Sequence, residues 1–270
     1  MTTVFHLSDV HFGPFHRPEV SAGVLAYLVA RRPDLVILSG DLTQRAKPGQ
    51  FREARAFVDR LPVPSLVVPG NHDVPLYRVW ERALAPFGTY RKHFSAELEP
   101  TVELPGCLAV GLNTAFNWTW KEGRIHLRSL REAGRRFAAA APGTLKIAVA
   151  HHPLVPTPRF GGQRVVRNAW EAVEAFDALG VDLVLSGHVH QSFIATSEEF
   201  YPRRRPPILF VNAGTTTSSR GRGGERGHNS ANWIAADGDQ IEIQHLLWDP
   251  DQATFLERSR HVYPRRVRRD

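Results

Sequence analysis

Five short polar motifs constrain the fold of this chain more than any other feature, because each one follows directly on an apolar run. In chain order they are Asp9-Val10-His11, Gly40-Asp41, Gly70-Asn71-His72-Asp73, His151-His152-Pro153 and Gly187-His188-Val189-His190. In an α/β sheet, ligands bind at the loops that follow the carboxyl ends of the strands. The pattern therefore predicts that side chains from distant parts of the chain meet at one edge of a sheet.

The apolar runs alternate with segments of helical periodicity. Strands are predicted at residues 4–7, 35–38, 65–68, 108–112, 145–150, 183–185 and 208–211, followed by a terminal hairpin at 233–236 and 240–247. Helices are predicted at residues 18–31, 50–61, 126–140 and 169–179, where apolar side chains form one stripe. Strands that alternate with helices predict an α/β fold with a more antiparallel second half.

Length and composition favour one large domain. The chain has 270 residues, of which 42% are apolar, enough for a full core. We predict a single domain over residues 1–258 and an unordered basic tail over 259–270. The single cysteine, Cys107, excludes an intramolecular disulfide. Neither a signal pattern nor an apolar stretch of about 20 residues is visible, so we expect a cytoplasmic protein that is at most membrane-peripheral.

The net charge of +7 is concentrated in the last third of the chain. The arginines that contribute most are Arg203, Arg204, Arg205, Arg220, Arg222, Arg226, Arg260, Arg265, Arg266, Arg268 and Arg269. A solvated surface accounts for them, and so does attraction to a phosphorylated substrate, to nucleic acid or to an anionic membrane through the basic loop and tail. No separate nucleic-acid module is evident, and a homodimer stays open because no interface pattern is readable.

The side chains of the five motifs are of the kinds that bind transition metals. Residues two apart on an extended segment point the same way, so Asp9 and His11 can reach one ion, as can His188 and His190. A mixture of imidazole, carboxylate and amide ligands suits Mn, Fe, Zn, Ni or Co. The ligands are enough for two divalent or trivalent ions, and a pair roughly 3.5–4 Å apart needs a bridging carboxylate, for which Asp41 is the natural candidate.

In this order, the motifs resemble those of the calcineurin-like metallophosphoesterases, whose pattern runs Asp-x-His, Gly-Asp, Gly-Asn-His-Asp/Glu, His and Gly-His-x-His. All five blocks are present between Asp9 and His190, and the resemblance extends to the run that ends at Thr215. It implies a four-layer α/β/β/α sandwich, in which two mixed sheets pack face to face and are flanked by helices.

The same resemblance implies roles for individual residues. One metal ion would be held by Asp9, His11, Asp41 and His190, and the other by Asp41, Asn71, His151 and His188. His72 would face the substrate phosphate as a catalytic residue, and Asp73 would orient its ring. A metal-bridging hydroxide would then attack phosphorus in line, without a serine or cysteine nucleophile. The role of His152 stays open.

The resemblance is strongest to the bacterial branch that includes cyclic-nucleotide phosphodiesterases, which makes hydrolysis of a small phosphodiester, such as 3′,5′-cyclic AMP, the first hypothesis. The alternatives are a pyrophosphohydrolase of a nucleotide-linked lipid precursor at the membrane surface, a nuclease, and a catalytically inactive binding scaffold. The loops at 153–167 and 215–229 are either binding loops or surface connections. Candidates for contacts with the rest of a substrate are Phe116, Trp118, Trp120, Phe160, Arg159, Arg164 and Arg167.

Overall fold

The computed structural model describes residues 1–116, 122–157, 165–201 and 207–265. Its strands are β1 (Thr2–Leu7), β2 (Leu35–Leu38), β3 (Ser65–Val67), β4 (Thr101–Leu104), β5 (Cys107–Leu112), β6 (Leu145–Ala150), β7 (Leu183–Ser186), β8 (Phe193–Thr196), β9 (Leu209–Asn212), β10 (Ser230–Ala236), β11 (Gln240–Asp249) and β12 (Thr254–Pro264). Its α-helices are α1 (Pro18–Arg31), α2 (Pro48–Val58), α3 (Val79–Leu84), α4 (Gly88–His93), α5 (Leu127–Ala139), α6 (Ala169–Ala178) and α7 (Ser197–Phe200).

The strands form two mixed sheets. The first has the order β12-β11-β10-β1-β2-β3, and the second has the order β4-β5-β6-β7-β9-β8. In the first sheet β1, β2 and β3 are parallel, whereas β10, β11 and β12 are joined antiparallel. In the second sheet β5, β6, β7 and β9 are parallel, and β4 and β8 are antiparallel edge strands. The strands that precede the five motifs all belong to these parallel sets.

Three apolar cores separate four layers, and β2 shows how the sequence produces them. Successive side chains of a strand point to opposite faces of its sheet. Leu35 and Ile37 therefore contribute to the core between the two sheets, while Val36 and Leu38 contribute to the core beneath α1 and α2. A third core lies between the second sheet and the helices α5 and α6. The predicted four-layer α/β/β/α sandwich is confirmed.

All nine predicted strands and all four predicted helices form, with ends displaced by at most three residues. The sequence did not reveal β4, β8 or β12, nor the short helices α3, α4 and α7. The four residues of β4 carry no fully buried side chain, and those of β8 carry one. Edge strands that bury so little give a weak apolar pattern, which explains why they were missed.

The unordered C-terminal tail was predicted to begin too early in the sequence. Residues 259–264 belong to β12, which pairs with β11 from Thr254 to Pro264 along the edge of the first sheet. Arg265 then donates hydrogen bonds to the carbonyl oxygens of Asp237 (2.8 Å) and Gly143 (2.7 Å). Charged side chains along this strand suit a sheet edge, which has to resist pairing with other chains. The boundary at residue 258 was therefore wrong, and residues 266–270 lie outside the described residues.

Within the described part of the chain, no helix is long and apolar enough to span a lipid bilayer.

Candidate metal centre

The five motifs meet at the carboxyl ends of the parallel strands. Asp9 and His11 follow β1, Asp41 follows β2, and the others follow β3, β6 and β7 in the same way. Backbone hydrogen bonds fasten the first two loops to each other, from Asp9 N–H to Gly40 O (3.0 Å) and from His11 N–H to Asp41 O (3.0 Å). The strand order of the two sheets thus brings together residues that are up to 181 positions apart, from Asp9 to His190.

Five of the predicted ligands have a left-handed backbone. The φ angles are 54° at Asp9, 47° at His11, 53° at Asp41, 71° at His188 and 57° at His190. Positive φ is uncommon for residues other than glycine, and it persists only where the surrounding structure enforces it. Such conformations concentrate at functional sites, so their occurrence at these five residues supports a functional role for the loops.

A first cluster contains the four residues predicted for one ion. His190 Nε2 lies 3.0 Å from Asp9 Oδ1, and His11 Nε2 lies 3.5 Å from the same oxygen. The Nε2 atoms of His11 and His190 are 3.1 Å apart, and Asp41 Oδ2 lies 3.7 Å from His11 Nε2. Ligand atoms about 2.0–2.2 Å from a common ion are roughly 3.0–3.5 Å from one another. The spacing therefore suits one metal ion at the centre of the cluster.

A second cluster lies on the other side of Asp41. His151 Nε2 lies 3.4 Å from Asp41 Oδ1 and 3.1 Å from Asn71 Oδ1, and His188 Nδ1 lies 2.9 Å from Asn71 Oδ1. The two carboxylate oxygens of Asp41 therefore face different clusters, as a bridging ligand requires. His152 is close to this cluster, since its ring centroid is 4.5 Å from that of His188. Its Nδ1 atom lies 2.8 Å from the hydroxyl oxygen of Thr114.

The orientation of two imidazoles is the one that metal-binding histidines adopt. His151 Nδ1–H donates to the carbonyl oxygen of Ser39 (2.8 Å), and His190 Nδ1–H donates to that of Arg220 (2.8 Å). Because a carbonyl oxygen can only accept, each Nδ1 atom carries a proton, and in the neutral form of the ring, which is the form that binds a metal ion, Nε2 presents its lone pair toward the carboxylate oxygens. Metal-binding histidines are held by the same kind of hydrogen bond from the other ring nitrogen.

Unpaired buried oxygens lead to the same conclusion. Asp9 Oδ1 and Asp41 Oδ2 are buried and accept no hydrogen bond from the described residues. Such oxygens are costly unless they coordinate a metal or pair with a charge. Burial lowers the pKa of His151, but Asp41 and Asp9 outweigh it and raise this pKa to about 9, so the two carboxylates favour a positive charge at this position. The donor set therefore fits transition-metal ions in chemistry, spacing and charge.

A tight approach between two loops depends on Gly70. A Cβ atom added to this residue would lie 2.1 Å from Asp41 Oδ1 and 2.3 Å from Asp41 N, which no side chain can tolerate. The glycine lets the Asn71 loop pass directly over Asp41. The backbone N–H of His72 then donates to Asp41 Oδ1 at 2.8 Å, which fixes the predicted bridging carboxylate relative to the predicted catalytic histidine.

His72 lies beside the first cluster, with its ring centroid 4.9 Å from that of His11. Its Nδ1–H donates to the carbonyl oxygen of Gln44 (3.0 Å), which leaves Nε2 directed toward the site. Burial lowers the pKa of His72, while the charge of Asp41 acts in the opposite direction. The ring is therefore positioned to present one nitrogen to a bound substrate.

The prediction that Asp73 orients the ring of His72 was wrong. Asp73 is fully buried and accepts hydrogen bonds from the backbone N–H groups of Leu42 (3.1 Å), Thr43 (2.9 Å) and Gly70 (2.9 Å). The side chain thus joins the Asp41 loop to the Asn71 loop, and the Gln44 carbonyl performs the orienting function. Asp73 thus joins the two loops without contacting the ring of His72.

Gln44 and Arg220 also lie at the site, and neither was predicted from the sequence as a site residue. The only signal was that Arg220 belongs to a basic, loop-like segment. Among the candidates for substrate contacts, Arg167 forms an ion pair with Glu122 (2.7 Å), and the Phe116 ring lies against that of His126. Trp118, Trp120, Arg159, Phe160, Arg164, Arg203, Arg204 and Arg205 lie outside the described residues.

Two mixed sheets packed face to face, with Asp, Asn and His side chains gathered at the strand ends, define a metallophosphoesterase fold. The chain belongs to the calcineurin-like phosphoesterase family, whose profile matches residues 2–192. A probable cyclic nucleotide phosphodiesterase of Synechococcus sp. is 30% identical over 190 residues, which are 64% of this chain and 64% of that protein. A cAMP/cGMP dual specificity phosphodiesterase of Mycobacterium tuberculosis is 28% identical over 171 residues, or 61% and 51% of the two chains.

The chain thus spans less than two thirds of the length of the curated relatives it matches. Among solved structures, the purple acid phosphatase PPD1 of yellow lupin superposes with a TM-score of 0.76 at 12% identity, over 99% of this chain and 54% of that one. At this level of identity the likeness establishes the fold alone.

Replacing Asn71 with alanine is expected to weaken one metal site selectively. The amide oxygen of Asn71 faces His151 and His188 in the second cluster, and none of the first-cluster contacts involves it. We expect the affinity for one ion to fall by at least about tenfold, by analogy with losses at supporting residues of metal sites. Calorimetric titration of the metal-free variant would measure this, and the tighter site serves as the internal control. Unchanged affinity for both ions would contradict the ligand role.

Proposed function

We propose that this chain is a two-metal phosphodiesterase that hydrolyses a small phosphodiester, with 3′,5′-cyclic AMP among the substrates to test. The observation that most supports the proposal is the convergence of carboxylate oxygens and imidazole lone pairs on both sides of Asp41. The names of the two bacterial relatives point to the same substrate class. We propose that two ions of Mn, Fe, Zn, Ni or Co occupy the two clusters.

Under this proposal, seven residues would bind the two ions and one would act on the substrate. The first ion would be held by Asp9, His11, Asp41 and His190, and the second by Asp41, Asn71, His151 and His188. When bound, the ions supply Lewis-acid stabilisation of the phosphoryl oxygens and a water of lowered pKa. His72, whose Nδ1–H is held by the Gln44 carbonyl, would present Nε2 to an oxygen of the phosphate. In its protonated form the ring would donate a hydrogen bond or a proton from Nε2 to that oxygen as charge develops on it.

A catalytically inactive scaffold receives no support from the site. Loss of catalysis in a fold of this kind is expected to leave at least one ligand position, or the position of His72, occupied by another residue. All seven predicted ligands and His72 are present and lie at the same edge of the fold. Five of them also have a positive φ, a backbone conformation that concentrates at active sites and ligand-binding sites.

A hydrolysis panel on the metal-loaded chain tests the proposal. The substrates are an aryl phosphodiester, an aryl phosphomonoester, 3′,5′-cyclic AMP, an analogue of a nucleotide-diphosphate-linked lipid, and single-stranded DNA. We expect cleavage of the diesters and little cleavage of the monoester, and no cleavage by protein that has been stripped of metal with a chelator. Cleavage of the pyrophosphate analogue alone would assign the chain to the lipid-precursor alternative, and cleavage of DNA alone to a nuclease.

A further inference from the structure

The segment 215–229 is held firmly against the loop that follows β1. The hydroxyl of Thr215 donates to the carbonyl oxygen of Asp9 (2.7 Å), and the hydroxyl of Thr217 donates to that of Val10 (3.1 Å). Both threonines are completely buried. Because its threonines are buried and hydrogen-bonded to the β1 loop, the first part of the segment is a fixed element of the site and not a mobile lid.

Arg220 follows this fixed stretch and is tied to a predicted metal ligand through its backbone. Its carbonyl oxygen accepts the hydrogen bond from His190 Nδ1–H (2.8 Å). Two residues further on, the backbone N–H of Arg222 donates to the carbonyl oxygen of His190 (3.0 Å). The position of the Arg220 backbone is therefore set by the same loop that presents His190 to the first cluster.

The guanidinium group of Arg220 lies between the two imidazoles that face the reaction site. Its Nη1 atom is 3.2 Å from His72 Nε2, 3.4 Å from His11 Nε2 and 3.1 Å from Gln44 Oε1. These distances place a positive charge beside the predicted catalytic residue and beside one ligand of the first cluster. A metal ion held by His11 would repel the charge of Arg220. An anion bound between the ion and the guanidinium group would be attracted to both.

The arginine retains donors for such an anion. Among the described residues, no carboxylate lies within ion-pairing distance of Arg220, and only its Nη1 atom has a hydrogen-bond partner. The remaining N–H groups of the guanidinium fork have no partner within the part of the chain that the structure describes. A planar guanidinium binds phosphate oxygens through two parallel hydrogen bonds, which gives both affinity and orientation.

We propose that Arg220 is a substrate-binding residue, which donates hydrogen bonds to a non-bridging oxygen of the scissile phosphate on the side of His11 and His190. The inference rests on the proposed function, because it assigns the arginine to the same phosphate that the metal ions and His72 would bind. The segment 215–229 would thus contribute a positively charged side chain to the site, from a part of the chain beyond the family match at residues 2–192.

Arg220→Ala and Arg220→Lys test the inference, with Arg226→Ala as the matched control. Arg226 is exposed, lies in the same segment and carries the same charge. Hydrogen bonds to charged groups contribute enough that we expect kcat/KM of Arg220→Ala to fall about 10- to 100-fold. Arg220→Lys should recover only part of the loss, because an ammonium cannot reproduce the fork. Metal content should stay unchanged in all three variants.

A second measurement separates this inference from the proposed function. Calorimetric titration of the metal-loaded proteins with inorganic phosphate should show binding at least about tenfold weaker in Arg220→Ala than in Arg226→Ala. If the unmodified chain hydrolyses no diester, the proposed function fails, and the phosphate titration still decides the role of Arg220. Unchanged phosphate affinity in Arg220→Ala would overturn the inference, and so would a loss of bound metal that accounts for the loss of activity.

Discussion

Asp41→Asn is expected to lower the metal content below two ions per chain and to remove nearly all diester hydrolysis. The two oxygens of Asp41 face His151 Nε2 (3.4 Å) and His11 Nε2 (3.7 Å), so this carboxylate offers one oxygen to each cluster. An amide has one oxygen to offer and no negative charge, and it cannot bridge two cations in the same way. We expect kcat/KM to fall by at least about 10³-fold, which corresponds to roughly 4 kcal/mol of transition-state stabilisation.

Asparagine is the appropriate replacement because it preserves the local structure. Its side-chain oxygen can still accept the hydrogen bond from the His72 backbone N–H, which Asp41 Oδ1 accepts at 2.8 Å. Asp59→Asn is the matched control, since Asp59 is an exposed carboxylate at the end of α2. Elemental analysis would measure the bound metal, and circular dichroism would verify folding. Two ions bound with undiminished turnover would show that Asp41 is not the bridging ligand.

The sequence predicted correctly that the five motifs follow strands, because the relevant information is local to each motif. A buried parallel strand reads as a continuous apolar run, and the polar residue after it must lie at the carboxyl edge of the sheet. This is why Asp9, Asp41 and His151 were placed correctly at strand ends by pattern alone. The contacts between different motifs follow from the strand order β1-β2-β3 and β5-β6-β7, which local periodicity does not contain. At the level of the sequence, only the family resemblance grouped the ligands into two sets.

The misassigned and missed features depend on contacts that no local pattern encodes. Asp73 is adjacent to His72 in sequence, yet its side chain turns away to bind the backbone of Leu42 and Thr43, because those buried N–H groups need an acceptor. Arg220 reaches the site from a loop that lies 209 residues beyond His11. The sequence marked it as one of many arginines, and only the packing of the segment 215–229 distinguishes it.

His72→Ala is expected to separate catalysis from metal binding. The contacts of His72 with the clusters run through its backbone N–H, which donates to Asp41, and through its ring, which faces Arg220 at 3.2 Å. Truncation to alanine retains the backbone hydrogen bond and all seven predicted ligands. Metal content should therefore stay at the level of the unmodified chain. Loss of a general acid or hydrogen-bond donor should lower kcat about 10²- to 10⁴-fold.

The change should fall mainly on kcat, because the ions and Arg220 would still bind the phosphate in the ground state. His228→Ala is the matched control, since His228 is exposed and belongs to the segment 215–229. Steady-state kinetics on an aryl phosphodiester, together with metal analysis of both variants, would measure the effect. Unchanged turnover in His72→Ala would show that another group performs the catalytic role. A parallel loss of metal would make His72 a residue that supports the metal centre, because the Gly70–Asp73 turn would then depend on its ring.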